Sequence, residues 1–318
     1  MKIKLGVVMD PIGAIHFHKD STLAMLLAAQ ARGWELYYME QPDLFLQDDR
    51  CLARQSRLLV RNDENDWFSL SEPYTAPLDE LDVVLMRKDP PLDMEYMYTT
   101  ILLERAEAHG ALVVNRPAAV RNMNEKLYTA WFRDCCPPMR VSRDMQLLKA
   151  FLEEQNDIIV KPLNGMGGAS VFRVQQGAPN VNVILETITD NGMQTAMAQR
   201  YIPEIIEGDK RILMIDGKPF PHALARIPAP GETRGNLAAG GSGKGVDLSD
   251  RDRWICDQVG PALREQGLLF AGIDVIGNYL TEINVTSPTC IRELDSIYAA
   301  DIAGELMDAI EKTLKTRA

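Results

Sequence analysis

The chain has 318 residues, and its 34 Lys and Arg against 45 Asp and Glu give a formal net charge of −11. This acidic balance argues against nucleic acid or an anionic membrane surface as the main partner, because both require clustered positive charge. A content of 46% hydrophobic and 25% charged residues is typical of a soluble globular protein, and the length fits two or three domains. No apolar run approaches the ~20 residues of a membrane span.

Cysteine usage and the first residues bear on the compartment. The five cysteines, at positions 51, 135, 136, 256 and 290, form no C-x-x-C pair. An odd number without regular spacing fits a reducing compartment better than a disulfide framework. The apolar run at residues 5–9 is shorter than the hydrophobic region of a signal peptide, which has about 7–15 residues. We therefore expect a cytoplasmic protein.

The first third of the chain alternates apolar runs with helical patterns. The pattern predicts helices at residues 21–31 and 94–108, and strands at residues 3–9, 34–39, 81–86 and 111–114. This rhythm indicates a mostly parallel sheet with helices packed on it. The polar stretch at residues 41–77 is interrupted by Pro and Asp, and it predicts at most short strands without chemistry. We place the end of this small α/β domain near residue 122.

The rest of the chain predicts a mixed α+β arrangement in two blocks. In residues 123–200 we expect a helix through Glu125, Lys126 and Phe132, a helix at residues 144–154, and strands at residues 158–162 and 170–174. In residues 201–318 we expect further elements, namely strands at residues 211–215 and 220–227, a helix at residues 249–266, a hairpin at residues 271–285 and a helix at residues 301–314.

A glycine-rich loop of Gly165, Met166, Gly167 and Gly168 follows the strand that contains Lys161. Backbone N–H groups without side-chain bulk can approach phosphate oxygens closely, and Lys161 adds a positive charge beside them. The loop lacks the G-x-x-x-x-G-K-[ST] pattern and leads into a strand, which excludes both a P-loop and a dinucleotide fingerprint. Taken alone, the loop fits a strained turn as well as a phosphate site.

The C-terminal hairpin carries two acids and an amide. Period-two alternation puts Glu282 and Asn284 on one face. A three-residue turn that pairs Ile276 with Leu280 would place Asp274 opposite Glu282, whereas a two-residue turn would separate the two acids. Carboxylate and amide oxygens suit Mg²⁺, which takes few protein ligands and completes its shell with phosphate and water. The alternative is a solvated polar face on a half-exposed hairpin.

A glycine-rich tract at residues 231–245 also carries charged residues, among them Arg234. Its composition fits either a linker or a mobile lid, and the lid is at least as good an interpretation because the flanking segments both belong to one predicted domain. Three more cations, Arg211, Arg226 and Arg292, lie beside these signals in the sequence. The four histidines have no zinc-binding spacing, and no G-x-S-x-G motif is present.

Several motifs occur in a fixed order along the chain. They are Asn-Glu-Lys at residues 124–126, Val-Lys-Pro at residues 160–162, the glycine loop, Arg-Gly-Asn-Leu-Ala-Ala-Gly-Gly at residues 234–241, Asp274, and Glu-Ile-Asn-Val-Thr-Ser-Pro-Thr at residues 282–289. This set resembles the ATP-grasp ligases and, within them, the prokaryotic glutathione synthetase family. The resemblance runs from end to end, and the two long strings are its most specific part.

The resemblance implies an ATP-grasp fold preceded by a small parallel-sheet α/β domain. Residues 1–122 would form the N-terminal substrate domain, residues 123–200 the lid subdomain with the glycine loop, and residues 201–318 the C-terminal subdomain with a mobile loop at residues 229–245. For ATP as co-substrate, the resemblance implies phosphate contacts from Lys126, Lys161, Gly165, Met166, Gly167 and Gly168. It also implies adenine contacts from Gln199, Tyr201 and Ile202, with Asp209 near the ribose.

The resemblance also assigns the remaining site residues. Arg211 and Arg226 would act in catalysis by stabilising the transferring phosphate, and Arg234 would act in catalysis from the mobile loop. Asp274, Glu282 and Asn284 would hold Mg²⁺, with Mn²⁺ as the alternative ion. Arg292 would bind the carboxylate of glycine, and Ser287 and Arg87 would contact substrate.

The implied reaction is the ligation of γ-glutamylcysteine and glycine through an acyl phosphate, in a homotetramer that binds neither nucleic acid nor membrane. Another ATP-grasp carboxylate–amine ligase with a different amine acceptor is the nearest alternative. A non-catalytic nucleotide-binding regulator would need neither the acidic hairpin nor the charged loop. A nicotinamide oxidoreductase would need a strand–glycine–helix fingerprint, which the sequence lacks.

Overall fold

Three β-sheets follow one another along the chain in the computed structural model, which describes residues 2–232, 235 and 240–317. The elements that build the first sheet and its covering helices are β1 (Lys4–Val8), α1 (Ser21–Ala31), β2 (Glu35–Met39), β3 (Leu44–Gln47), β4 (Arg50–Val60), β5 (Phe68–Leu70), β6 (Tyr74–Pro77), β7 (Val83–Met86), α2 (Met94–Ala108), β8 (Leu112–Val114) and α3 (Pro117–Asn122).

Four strands of the first sheet form its parallel centre, in the order β2, β1, β7 and β8. The predicted helices begin where expected, because the Asp20 side chain accepts a hydrogen bond from Leu23 N–H in α1 and the Asp93 side chain accepts one from Tyr96 N–H in α2. Such caps satisfy backbone donors that a first helical turn leaves unpaired. The parallel pairing of the four central strands confirms the parallel sheet expected from the sequence.

The expectation for residues 41–77 is wrong. This stretch contains β4, an 11-residue strand that pairs with β2 and β3 and also with β5 and β6. Its buried and outward side chains largely alternate, with Ala53 fully buried and Arg54 exposed. Proline and aspartate occur in the turns around β4 but not in the strand itself. Their presence in the stretch therefore did not exclude a long strand between them.

The second sheet is four-stranded and antiparallel throughout, in the order β11-β10-β12-β9. Helices α4 and α5 pack on one face, over a core that includes Leu148, Phe151, Ile158 and Leu185. The elements are β9 (Met139–Ser142), α4 (Met145–Gln155), β10 (Asp157–Pro162), β11 (Phe172–Gln175), α5 (Val181–Ile188) and β12 (Ala196–Arg200).

The helix expected through Glu125, Lys126 and Phe132 is also wrong. The segment forms a short 3₁₀ helix at Leu127–Trp131 instead. The side-chain oxygen of Asn124 accepts hydrogen bonds from the N–H groups of Lys126 and Leu127, and the backbone carbonyl of Glu125 accepts from Ile283 N–H. Only Tyr128 N–H makes an i to i−4 bond here, to the carbonyl of Asn124, and the bonds that follow in the described segment are of the 3₁₀ type.

The third sheet has the strand order β16-β15-β13-β17-β18, with β14 beside β13. Its elements are β13 (Asp209–Ile215), β14 (Lys218–Pro219), β15 (His222–Ile227), β16 (Ser242–Asp247), α6 (Asp250–Glu265), β17 (Phe270–Ile276), β18 (Tyr279–Asn284), α7 (Ile291–Tyr298) and α8 (Ile302–Arg317). Strand β16 corrects the sequence interpretation, because the end of the expected mobile loop is paired with β15.

The last helix returns to the start of the chain. Helix α8 packs against α1, and Leu306 and Ile310 share a hydrophobic core with Leu5 and Leu26. The first and third sheets are thereby held together by apolar packing. In the part of the chain that the structure describes, no helix has the length and apolarity needed to cross a bilayer.

Candidate active site

A cleft lies between the second and third sheets and encloses about 840 Å³, including space open to solvent. This is within the usual range for small-molecule sites, about 300–1,000 Å³. The lining side chains and backbone come from both sheets and from the glycine loop: Lys126, Ile159, Lys161, Gly165, Met166, Gly167, Gly168, Ala169, Val171, Gln199, Arg200, Tyr201, Ile202, Ile205, Asp209, Gly235, Ile276, Thr281 and Glu282.

The hairpin of β17 and β18 forms one wall of the cleft, and its register differs from the expected one. Ile276 pairs with Tyr279, so the turn has two residues. A two-residue turn was expected to separate Asp274 from Glu282, yet the two acids are paired. The register shifts beside Asp274, where Thr281 is the extra residue of a β-bulge. The bulge therefore places Asp274 opposite Glu282, which was expected to require a three-residue turn.

A chain of buried ion pairs surrounds Asp274. Arg211 donates from Nε to Oδ1 at 2.5 Å and from Nη2 to Oδ2 at 3.0 Å, and Arg226 Nη2 lies 2.9 Å from Oδ2. Although burial acts to raise it, the two guanidinium groups hold the pKa of Asp274 well below its ordinary value. Asp274 is therefore an anion that fixes both arginines.

Asp209 extends this network to the mouth of the cleft. Arg226 Nη2 donates to its Oδ2 at 2.5 Å. Burial raises the pKa of Asp209 to about 6, against the opposing effect of Arg226. Asp209 Oδ1 and Gln199 Nε2 are both buried and have no hydrogen-bond partner among the described residues. A buried polar atom without a partner is costly, so these atoms suit a ligand that supplies one hydroxyl donor and one acceptor.

Two lysines lie at the end of the cleft that contains the glycine loop. Lys126 Nζ donates to the carbonyl of Gly165 at 2.5 Å and lies 2.7 Å from Glu282 Oε1. Lys161 Nζ donates to the carbonyl of Thr281 at 3.1 Å, and burial lowers its pKa. Both ammonium groups thus join the glycine loop and β10 to the hairpin.

The net charge of the residues around this cleft is opposite in sign to the net charge of the whole chain. Around it the structure brings together the cations Lys126, Lys161, Arg211 and Arg226 and the anions Asp209, Asp274 and Glu282. With Arg200, which also lines the cleft, the described part of the cluster carries two more positive than negative charges, in a protein of net charge −11. Such a local excess attracts a polyphosphate.

The expected adenine segment follows β12. The N–H groups of Arg200 and Tyr201 already donate to the carbonyls of Pro138 and Asp157, both at 3.0 Å. Within the described ranges, no hydrogen bond is recorded for the N–H of Ile202. The N–H of Ile202, rather than that of Tyr201, is therefore the backbone donor that a ligand at this end of the cleft can use.

A second pocket opens between the first sheet and the segment after β18. Arg87 is buried there, with Nε donating to Thr22 Oγ1 at 3.1 Å and Nη2 donating to the carbonyl of Pro288 at 2.9 Å. Ser287 Oγ donates to the carbonyl of Arg87 at 3.3 Å. The pocket also contains charged side chains that the sequence analysis did not assign, namely Asp10, Lys19, Asp20 and Asp89.

One of the expected arginines, Arg292, lines neither of these pockets. Arg292 donates from Nη1 to the carbonyl of Phe17 and from Nη2 to Asn62 Oδ1, both at 2.8 Å. Its guanidinium also packs 4.8 Å from the centre of the Phe17 ring. Arg234 lies outside the described residues.

The expected metal ligands lie together on the hairpin. Asn284 Nδ2 donates to Asp274 Oδ2 at 3.2 Å, and Glu282 is paired with Asp274 across the strands. The described residues contain no group of three or more His, Cys, Asp or Glu that could enclose a metal. Two carboxylates and an amide oxygen fit a hard cation such as Mg²⁺, which takes further ligands from phosphate and water.

Sequence reasoning missed the role of Glu125. Its Oε1 accepts hydrogen bonds from the N–H groups of Val285 and Thr286 and from Thr286 Oγ1. The partners lie 160 residues and more away in the sequence, so local pattern gave no signal beyond an acid inside the Asn-Glu-Lys motif.

A positively charged cleft between an antiparallel sheet with a glycine loop and a second sheet with a carboxylate hairpin defines the ATP-grasp class. The solved structures agree on this fold. The chain superposes on D-cycloserine synthetase DcsG with a TM-score of 0.67 at 14% identity, covering 98% of this chain and 99% of that one. It superposes on the ATP-grasp ligase PsnB with a TM-score of 0.63 at 19% identity, covering 98% of each chain.

The chain belongs to the prokaryotic glutathione synthetase family. Residues 3–121 match the N-terminal domain of that family and residues 125–299 match its ATP-grasp domain. The glutathione synthetase of Pseudomonas syringae pv. tomato is 60% identical over 100% of this chain and 99% of its own length. That of Pseudomonas aeruginosa is 61% identical, with both chains covered to 100%. The resemblance drawn from the motifs is thus confirmed.

Proposed function

We propose that this chain catalyses the ATP-dependent ligation of γ-glutamylcysteine and glycine to glutathione, with release of ADP and phosphate. One observation carries the proposal, namely a positively charged cleft beside a second charged pocket in a chain of this family. The names of its relatives, which share 55–61% of their residues with it, support the same substrates.

ATP occupies the cleft with its phosphates at the lysine end. Lys126 and Lys161 bind the phosphates, and Gly165, Met166, Gly167 and Gly168 cover them. The unpaired Nε2 of Gln199 and the N–H of Ile202 face adenine, beside the ring of Tyr201. Asp209 Oδ1, which lacks a partner among the described residues, accepts a hydrogen bond from the ribose.

A divalent cation, Mg²⁺ or alternatively Mn²⁺, supplies Lewis-acid charge neutralisation on the phosphates when bound. Asp274, Glu282 and Asn284 are the residues that would hold it. The family's use of ATP with a divalent metal supports this assignment, and the oxygen-only donor set fits it.

The first chemical step transfers the γ-phosphoryl group of ATP to the cysteinyl carboxylate of γ-glutamylcysteine, forming an acyl phosphate and ADP. Arg211 and Arg226 are oriented by Asp274 and stabilise the charge on the transferring group. The glycine amine then attacks the acyl carbon, phosphate leaves with the bonding electrons, and the amine gives up its proton. Arg234 acts from the loop that shields the acyl phosphate from water.

γ-Glutamylcysteine occupies the second pocket. The ammonium group of its glutamyl residue meets the acids Asp10, Asp20 and Asp89. The α-carboxylate of the same residue meets Arg87, and Ser287 makes a further contact. Arg292 is retained as the proposed partner of the glycine carboxylate, and this role requires its guanidinium to leave Phe17 and Asn62.

We also propose a cytoplasmic homotetramer in which residues 1–122 act as the substrate domain, residues 123–200 as the lid and residues 201–318 as the C-terminal subdomain. All five cysteines are free and buried, which fits a reducing compartment.

The test is ADP release by the purified chain with Mg²⁺, ATP and γ-glutamylcysteine, with and without glycine, while the tripeptide is followed by mass spectrometry. Glycine-dependent ADP matched one-to-one by glutathione is the expected result. Turnover stimulated by a different amine would contradict the acceptor, and no turnover with any pair would contradict the enzyme assignment.

A further inference from the structure

The carboxylate of Glu125 binds a segment that comes from the far end of the sequence. Its Oε1 accepts three hydrogen bonds, from Val285 N–H at 2.8 Å, Thr286 N–H at 3.0 Å and Thr286 Oγ1 at 2.8 Å. Two consecutive backbone N–H groups that converge on one carboxyl oxygen form a directional anchor. The charge of Glu282 in the nucleotide cleft acts on this carboxyl group, but all hydrogen bonds of the Glu125 side chain among the described residues go to residues 285 and 286.

The anchored segment continues directly into the second pocket. Ser287 follows Thr286 and bonds the carbonyl of Arg87, and the next carbonyl, that of Pro288, accepts from Arg87 Nη2. The carbonyl of Val285 accepts from Asn115 Nδ2 at 2.7 Å. The segment is thus held by Glu125 on one side and by the first sheet on the other.

The backbone of Glu125 connects the same point to the nucleotide cleft. Its carbonyl accepts from Ile283 N–H at 2.8 Å, and Ile283 lies between the proposed metal ligands Glu282 and Asn284. The next residue, Lys126, contacts Glu282 and Gly165. Residues 125 and 126 therefore hold the hairpin in the cleft and the segment that lines the second pocket.

We propose that Glu125 is a positioning residue that fixes residues 285–287, so that Arg87 and Ser287 keep their places in the second pocket, where γ-glutamylcysteine binds. This inference rests on the proposed function for the identity of the peptide. Loss of the carboxylate lets the segment move, which weakens binding of γ-glutamylcysteine. The affinity for ATP should change much less, because the hydrogen bonds of the Glu125 side chain go to residues 285 and 286 and not to the residues that line the nucleotide cleft.

The kinetic test uses Glu125→Ala, Glu125→Gln, Thr286→Val and Thr286→Ser in the full chain. We expect Thr286→Val to raise the KM for γ-glutamylcysteine about tenfold, Glu125→Ala to raise it further, and the KM for ATP to stay within about twofold. Glu125→Gln keeps an acceptor oxygen and Thr286→Ser keeps the hydroxyl donor, so both should rescue most of the affinity. Thr189→Val is the matched control, because the hydroxyl of this buried threonine also donates a hydrogen bond, here to the carbonyl of Leu185, but Thr189 lines neither pocket.

A measurement that is independent of turnover accompanies the kinetics. Hydrogen exchange should show lost protection of the amides of residues 285 and 286 in Glu125→Ala, with β17 unchanged. Unchanged protection, or a KM for γ-glutamylcysteine equal to that of Thr189→Val, overturns the positioning role. If the wild-type chain releases no ADP with γ-glutamylcysteine, the proposed function fails, whereas lost protection in the variant still supports the anchoring of the segment by Glu125.

Discussion

Arg211 binds both carboxylate oxygens of Asp274, a residue 63 positions away in the sequence, in the interior of the third sheet. This two-point contact fixes the plane of the guanidinium as well as its position. The arginine is therefore oriented before any substrate arrives, which is the condition for electrostatic stabilisation of a transferring phosphoryl group.

Arg211→Lys tests this orientation. A lysine keeps the positive charge, but its ammonium group cannot reproduce the planar fork. We expect turnover to fall about 100-fold or more, measured as ADP release under saturating substrates. Arg264→Lys is the control, because Arg264 bonds Asp216 on an exposed surface of the same sheet region. Equal activity of the two variants would contradict a role for the fork in catalysis.

Glu282→Gln tests the proposed metal ligand. The amide keeps the shape of the side chain but loses the charge that a divalent cation requires. We expect a higher Mg²⁺ concentration at half-maximal ADP release and a turnover lowered about 100-fold. The exposed Glu154, which pairs with Arg140, provides the control variant Glu154→Gln. Near-normal turnover at saturating Mg²⁺ would remove Glu282 from the ligand set.

Gln199→Leu tests whether the unpaired amide nitrogen meets the nucleotide. Removal of a buried polar atom that has no partner within the described residues should leave the melting temperature unchanged or raise it. The KM for ATP should rise about tenfold, because a donor to the base is lost.

The matched control for Gln199→Leu is Gln55→Leu. Gln55 is also buried and also has an unpaired amide atom among the described residues, but it lies in β4 of the first sheet. Thermal shifts with and without ATP report both effects. An unaltered ATP-induced shift in Gln199→Leu would show that this side chain does not face the base.

Asp295→Asn tests whether ionisation of Asp295, in α7, lowers the stability of the fold in a pH-dependent way. Burial, with the charges of Asp301 and Glu305, raises the pKa of Asp295 from 3.8 to about 6. Ionisation is therefore disfavoured in the folded state, so the cost is complete above pH 6 and disappears as the pH falls below 4. Because the group is half-buried, we expect Asp295→Asn to stabilise the fold by about 1 kcal/mol at pH 8.

The asparagine retains the acceptor for Ile302 N–H, so the comparison isolates the charge. Denaturant unfolding at pH 8 and pH 4 checks the prediction, and the stabilisation should vanish at pH 4. Asp257→Asn, at an exposed position of α6, is the control for the same substitution on the surface. A gain that persists unchanged at pH 4 would mean that ionisation is not its origin.

The sequence by itself predicted the helices α1, α2, α4, α6 and α8, because their signals are local, but it did not predict α3, α5 and α7. Asp20, Asp93 and Ser249 bond N–H groups within three residues, so α1, α2 and α6 begin where these caps stand. The family followed from short strings of residues, and its site residues in the glycine loop, β12 and the hairpin came together in one cleft.

Tertiary structure decided what depends on distant partners. Strand β4 exists because other strands pair with it on both sides, and its own residues gave too weak a signal. Asp274 faces Glu282 because a bulge at Thr281 compensates for the short turn. Glu125 binds Thr286 and Arg211 binds Asp274 across long sequence separations. Such contacts form after the chain has closed its loops, and no local pattern encodes them.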